Sequence, residues 1–271
     1  MKKYYTRACN FYYGSLSKKL IKKGLTLPLC GDQFISFDKI ELLKRSNNKV
    51  HSKIVNIKDI KKLNSRLKKK INFDLKKIVC KRKIFTNPSI MGILNMTPDS
   101  FSDGGKYNSS YKAFKHISSM IKDGANIIDV GGESTRPGAK TLRDKDEWNR
   151  IKKIIKVFKK KFPNTLLSVD TRKSLVMKKC LKFKTDIIND VSGYKHDKNS
   201  IKIINKNNKW KVIHHMQGEP STMQKNPKYK NVLLDIYDFF ETSVNQKFKD
   251  KKIVLDPGIG FGKTLKHNLT L

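Results

Sequence analysis

The sequence predicts an α/β fold, a parallel sheet arranged as a β/α barrel, and two observations carry that prediction. From Ile90 onward, short apolar runs alternate with amphipathic helical stretches, the pattern of repeated β/α units. Each run ends in small or polar residues, and in a barrel of parallel strands all such ends face one mouth. Side chains far apart in the sequence are thereby expected to converge.

The chain divides by texture. Residues 1–89 hold three of the fifteen glycines and read as a small α+β extension. They show a short helix around Ser15 to Lys23, strand-like runs at Phe34 to Leu43 and Val50 to Ile57, and a Lys-rich helical stretch from Leu63 to Ile78. No catalytic constellation occurs there, so a packing or interaction role is expected. Residues 90–271 carry about six β/α units. Their expected strands are Ile90 to Leu94, Asn126 to Val130, Thr165 to Val169, Asp186 to Ile188, Lys211 to His214 and Lys252 to Leu255. Helical stretches such as Ser109 to Asp123, Asp144 to Lys160 and Val232 to Phe248 fall between them.

Charge is the compositional outlier. The 60 basic and 23 acidic side chains leave +37, which taken alone points to nucleic acid, a membrane surface or anionic ligands. Only 8 of the 60 are Arg, however, and the bidentate Arg fork is what specific phosphate and base recognition uses. The excess is also divided evenly, +19 over residues 1–89 and +18 over the remainder. A solvated Lys surface is the favoured reading over a nucleic-acid partner. Cys9, Cys30, Cys80 and Cys180 form no CxxC pair, which points to reduced thiols in a cytoplasmic protein. No apolar run approaches a membrane span and the N-terminus has no signal-like apolar core, so no membrane association is expected.

The strand ends supply the candidate site. They are Asn95, the stretch DVGGESTRPG at 129–138, Asp170 and Thr171, Asn189 and Asp190, His215 to Gln217, and DPGIGFG at 256–262. Taken singly, an Asp or Asn after a strand is as readily the N-cap of the next helix. Arg136, between Thr135 and Pro137, suits an anion such as a diphosphate, or else an ion pair with Asp129 or Glu133 that holds the loop. Asp170, Asn189 and Asp256 offer the acceptors and donors that an amino-pyrimidinone edge needs, and Met216 and Phe261 either cover its faces or fill the core. His214 and His215, adjacent in a strand, point to opposite sides and make no two-His zinc site. An oxygen ligand such as Asn95, helped by Asp103, suits Mg2+.

Six blocks carry a resemblance: ILNMTPDSFSDGG at 93–105, IIDVGGESTRPGA at 127–139, SVDTRK at 168–173, IINDVSG at 187–193, HHMQGEPSTMQ at 214–224 and DPGIGFGK at 256–263. In this order they resemble the dihydropteroate synthases. The resemblance implies a (β/α)8 TIM barrel that joins 6-hydroxymethyl-7,8-dihydropterin diphosphate to 4-aminobenzoate in folate synthesis. Carried over by motif, Asn95 would ligate Mg2+, and Thr135 and Arg136 would engage the diphosphate. Asp170, Asn189 and Asp256 would hold the pterin, and Phe101, Asp103 and Pro137 would shape the aminobenzoate pocket. Arg136 and Asp103 are the residues expected closest to the chemistry, which in this family is dissociative, with diphosphate leaving before the aniline nitrogen attacks.

The resemblance says little about residues 1–89 beyond similarity to extensions on some bacterial members. Family members continue past the equivalent of Leu271 with a seventh strand and its Ser-Arg-Lys-like loop, and an eighth ending in Arg-x-His. The chain is therefore expected to be a fragment of a longer enzyme, with an inactive protein as the alternative and homodimerisation at full length left open. A pterin-binding methyltransferase domain is the nearest rival, but it would have no diphosphate for the TPDSFSDGG and STRPG loops to hold.

Overall fold

The computed structural model describes residues 3–46, 49–81, 88–97, 106–134, 141–249 and 252–271, the side chains of 106–109 excepted. Contacts divide the chain into two units, Met1–Pro88 and Ser89–Leu271.

The first unit is built on a long central strand. In order it holds β1 (Lys3–Tyr13), α1 (Gly14–Lys22), β2 (Leu27–Leu29), β3 (Asp32–Ser46), β4 (Lys49–Asn56), a 3-10 turn (Ile57–Lys62) and α2 (Ser65–Ile78). β3 pairs antiparallel with β1, β2 and β4. The unit has its own core of Phe37, Ile40, Leu42, Val55, Ile60, Ile71 and Leu75. α2 begins at Asn64, whose side chain accepts from the Leu67 amide at 3.0 Å, a polar cap for an otherwise unpaired N–H. Two strand-like runs are thus four strands. β1 escapes the pattern because Arg7, Cys9 and Asn10 interrupt its aromatic alternation. Asn10 has φ 60°, and its amide donates to Asp38 at 2.7 Å, so one polar residue sits at an irregular point of an otherwise continuous ladder.

The second unit alternates strand and helix. It runs β5 (Met91–Asn95), α3 (Lys106–Lys122), β6 (Ile127–Gly131), α4 (Asp144–Lys161), β7 (Leu166–Asp170), α5 (Ser174–Cys180), β8 (Ile187–Asp190), α6 (Ser200–Asn205), β9 (Trp210–His214), α7 (Val232–Lys247), β10 (Ile253–Asp256) and α8 (Leu265–Thr270). All neighbouring strands are parallel, in the chain order β5-β6-β7-β8-β9-β10. Helices after each strand are what that parallel pairing requires.

α4 shows how the sequence specifies such a helix. Asp144, Asp146 and Glu147 occupy its first turn and Lys159, Lys160 and Lys161 its last, each charge opposing the helix dipole. Between them Ile151, Ile154, Ile155 and Phe158 fall on one face and are fully buried. They pack with Leu94, Val130, Leu167 and Val169, the residues of β5 to β7 that point toward the helices. No helix among the described residues is long and apolar enough to cross a membrane.

Candidate active site

Register places the site. Asn95 of β5 pairs with Gly131 of β6, Gly131 with Asp170 of β7, and Asp170 with Asn189 of β8, one row across four adjacent strands at their C-terminal ends. Side chains alternate along a strand, and Leu94, Val130 and Val169 already face the helices. Asn95, Asp170 and Asn189 therefore share the opposite face. Parity puts Asp129, Ser168 and His214 on that same face, with Asp256, which pairs with His214 at the end of β10. Asp256 stands two strands from Asn189, about 10 Å along the sheet at the usual spacing.

These residues belong to the strands and do not cap helices. The N-cap positions of α4, α5, α6, α7 and α8 are Arg143, Lys173, Asn199, Asn231 and Thr264. Gly131 stands between the two: its Cβ position lies in ordinary van der Waals contact with Asn95 Oδ1 at 3.4 Å and Asp170 Oδ2 at 3.5 Å. Two oxygens thus approach one bare backbone position.

Electrostatics on this face are those of crowded carboxylates. Burial, then the charges of Asp129, Asp190, Glu147 and Glu133, push Asp170 well above the usual carboxylate range. Burial likewise raises Asp129, which accepts from Asn189 Nδ2 at 2.9 Å. That bond fixes the amide and leaves Asn189 Oδ1 buried with no hydrogen-bond partner among the described residues. Asp256 differs. Burial would raise it, but the His214 contact at 3.3 Å, the Gly258 amide at 2.8 Å and the Lys263 charge hold it below its ordinary value.

His214 and His215 point to opposite sides, as strand alternation requires. His214 lies edge-on to Phe261 at 4.7 Å beside Asp256, and His215 packs edge-on against Phe239 of α7 at 4.9 Å. Phe261 is therefore beside the site, and Met216 is half-buried in the loop after β9. Lys263 fastens the loop after β10: its buried ammonium donates to the carbonyls of Gly258 at 2.9 Å and Phe261 at 3.0 Å. Burial lowers Lys263 to about 8, with Asp256 opposing, and burial followed by the Lys263 charge lowers His215 to about 4. Phe101, Asp103, Thr135, Arg136 and Pro137 lie outside the described residues.

Three contributors take roles that the sequence did not assign to them. Asp129 interrupts the apolar strand IIDVG two positions before Gly131, so alternation alone puts it on the site face. His214 was weighed only as a zinc ligand and is instead the partner of Asp256. Lys263 gives no local signal, because its partners, the His215 ring nitrogen Nδ1 at 3.2 Å and the carbonyls of His215, Gly258 and Phe261, are gathered only by the fold.

Residues 91–271 match the pterin binding enzyme family. The chain belongs to the pterin-binding enzymes. Among relatives of this family, a dihydropteroate synthase of Clostridium beijerinckii is 44% identical over 184 residues, covering 66% of this chain and 65% of that protein. The chain thus spans slightly under two thirds of that relative's length. A crystal structure of the Yersinia pestis dihydropteroate synthase with a sulfonamide drug complex superposes with a TM-score of 0.64 at 38% identity, over 69% of both chains. A dihydropteroate synthase from Clostridium difficile, solved in the presence of pteroic acid, gives 0.63 at 39% identity, over 70% of this chain and 71% of that one. The six parallel strands are those of a pterin-binding α/β barrel fold.

Proposed function

We propose that this chain carries out the dihydropteroate synthase reaction. The aniline nitrogen of 4-aminobenzoate bonds to the methylene carbon of 6-hydroxymethyl-7,8-dihydropterin diphosphate. The carbon–oxygen bond to diphosphate breaks, its electron pair leaving on diphosphate, and the nitrogen loses a proton. One observation supports this most: Asp170 and Asn189, with Asp129 behind them and Asp256 beyond, share one face at the C-terminal ends of parallel strands. Carboxylates and a fixed amide meet the N–H groups and carbonyl of a pterin edge, and the orphaned Asn189 Oδ1 is an acceptor awaiting a donor.

In this reading Met216 and Phe261 cover the ring, Thr135 and Arg136 hold the diphosphate, and Phe101, Asp103 and Pro137 receive the aminobenzoate. Asn95, at the end of β5, supplies a hard oxygen of the kind Mg2+ takes, with Asp103 assisting it. When bound, the ion would neutralise charge on the departing diphosphate. The protein itself orients the ring and stabilises the leaving anion, and no strong base or nucleophile is needed.

The test is turnover of labelled 4-aminobenzoate with the pterin diphosphate and Mg2+, together with calorimetric pterin binding. Labelled dihydropteroate is expected. Asp170→Ala and Asp256→Ala should each weaken pterin binding about tenfold to a hundredfold, the loss of one or two hydrogen bonds to the ring. Unchanged binding in both variants would remove the reading.

A further inference from the structure

We propose that Glu133 and Arg172 are positioning residues that tie together the two ends of the segment bearing Thr135 and Arg136. The inference rests on the reading that those two residues meet the diphosphate, and it assigns work to side chains that the reading leaves idle. Glu133 follows β6 and is buried. Its Oε2 accepts from Arg172 Nε at 2.7 Å, and its Oε1 accepts from Lys173 Nζ at 2.9 Å and from the Leu142 amide at 2.8 Å. Arg172 in turn donates through Nη2 to Thr141 Oγ1 at 3.0 Å. One carboxylate and one guanidinium, both anchored at the ends of neighbouring strands, thus hold residues 133, 141 and 142 in a fixed relation.

Lys173 also contacts Glu147 of α4, which is fully buried, and Arg150 of α4 donates to the Gly132 carbonyl at 3.0 Å. The group therefore has two cations and two anions, nearly all of it withdrawn from water. Such a tetrad stabilises a fold poorly compared with apolar packing of the same volume. What it supplies is directed hydrogen bonding: an acceptor aimed at Leu142 N–H and a donor aimed at Thr141. A Lys at 172 could not span Glu133 and Thr141 together, because only the planar fork offers donors in two directions.

Two readouts on the whole chain test the proposal: amide hydrogen exchange at Leu142, and the ratio of affinities for the pterin diphosphate and for 6-hydroxymethylpterin, which lacks the diphosphate. Glu133→Gln is expected to speed Leu142 exchange about tenfold and to lower the affinity ratio about tenfold, with hydroxymethylpterin binding within about twofold of the parent. Glu147→Gln, which touches Lys173 but neither Thr141 nor Leu142, should change neither readout even if it lowers the melting temperature. Should Glu133→Gln fail to fold, Thr141→Val and Arg172→Lys probe the same link and should lower the ratio in the same direction. Parental exchange and an unchanged ratio in all the folded variants would overturn the anchoring. If the parent chain itself prefers neither ligand, the function reading fails, and Leu142 exchange then decides the anchoring by itself.

Discussion

Asp190 ends β8 but points to the opposite face from Asn189. It is fully buried and accepts from the Ser192 amide at 2.8 Å and the Ser192 hydroxyl at 2.6 Å. Burial raises its pKa to about 6, the Ser192 bonds opposing, against roughly 3.9 in an unfolded chain. A raised carboxyl binds its proton more tightly in the folded state. Its contribution is therefore present below about pH 4 and lost as pH rises through 6, on the order of 3 kcal/mol. Urea unfolding at pH 4.5 and pH 7 should show Asp190→Asn losing less stability over that interval than the parent. Equal losses would mean that Asp190 is ionised over the whole range. Glu133 behaves oppositely. Burial would raise it, but Arg172, Lys173 and the Leu142 amide together hold it low, so its contribution fails only as pH falls below the ordinary carboxylate range.

At the scale of elements, helix α4 is the test case. Phe158 is fully buried between the sheet and Phe162, whose ring lies 5.4 Å away. Phe158→Ala should cost about 3 to 5 kcal/mol of unfolding free energy in chemical denaturation, with the upper end expected if the cavity does not collapse. Much of this element was legible. Its apolar spacing and end charges located it to within one residue, and the same spacing places Glu147 at the head of the buried stripe formed by Ile151, Ile154 and Phe158. A carboxylate on that stripe is a sign of a buried cation, but the identity of the cation was not readable, because Lys173 comes from the next β/α unit. The strands of the second unit were likewise visible, and with them the polar residues Asn95, Asp170, Asn189 and Asp256 at their ends, since polar residues closing apolar runs are a local signal. β1 was not visible. Its place is set by pairing along the whole of β3, from Lys3 opposite Arg45 to Tyr13 opposite Ile35, and that partnership leaves little trace in an eleven-residue window.

For the molecule as a whole, charge is the dominant fact. A net +37 spread over both units makes the folded chain repel itself, and at low ionic strength that repulsion reaches across tens of ångströms. Raising salt from about 0.05 to 0.5 M should therefore raise the melting temperature by a few degrees, the reverse of what a fold held by surface ion pairs would show. A melting temperature that falls with salt would indicate that pairs such as Arg143 with Asp146, at 2.8 Å, outweigh the repulsion.

Strands β5 to β10 lie side by side in the order in which they are synthesised. Each newly made strand pairs with the strand made just before it, so this sheet grows between neighbours in sequence, each pairing closing a helix-bearing crossover. The polar side chains of the site face would accrue in the same sequence: Asn95 first, then Asp129 and Asp170, then Asn189, and Asp256 after them. A ribosome-bound chain would thus assemble this polar face strand by strand, with Asp256 joining after the other four.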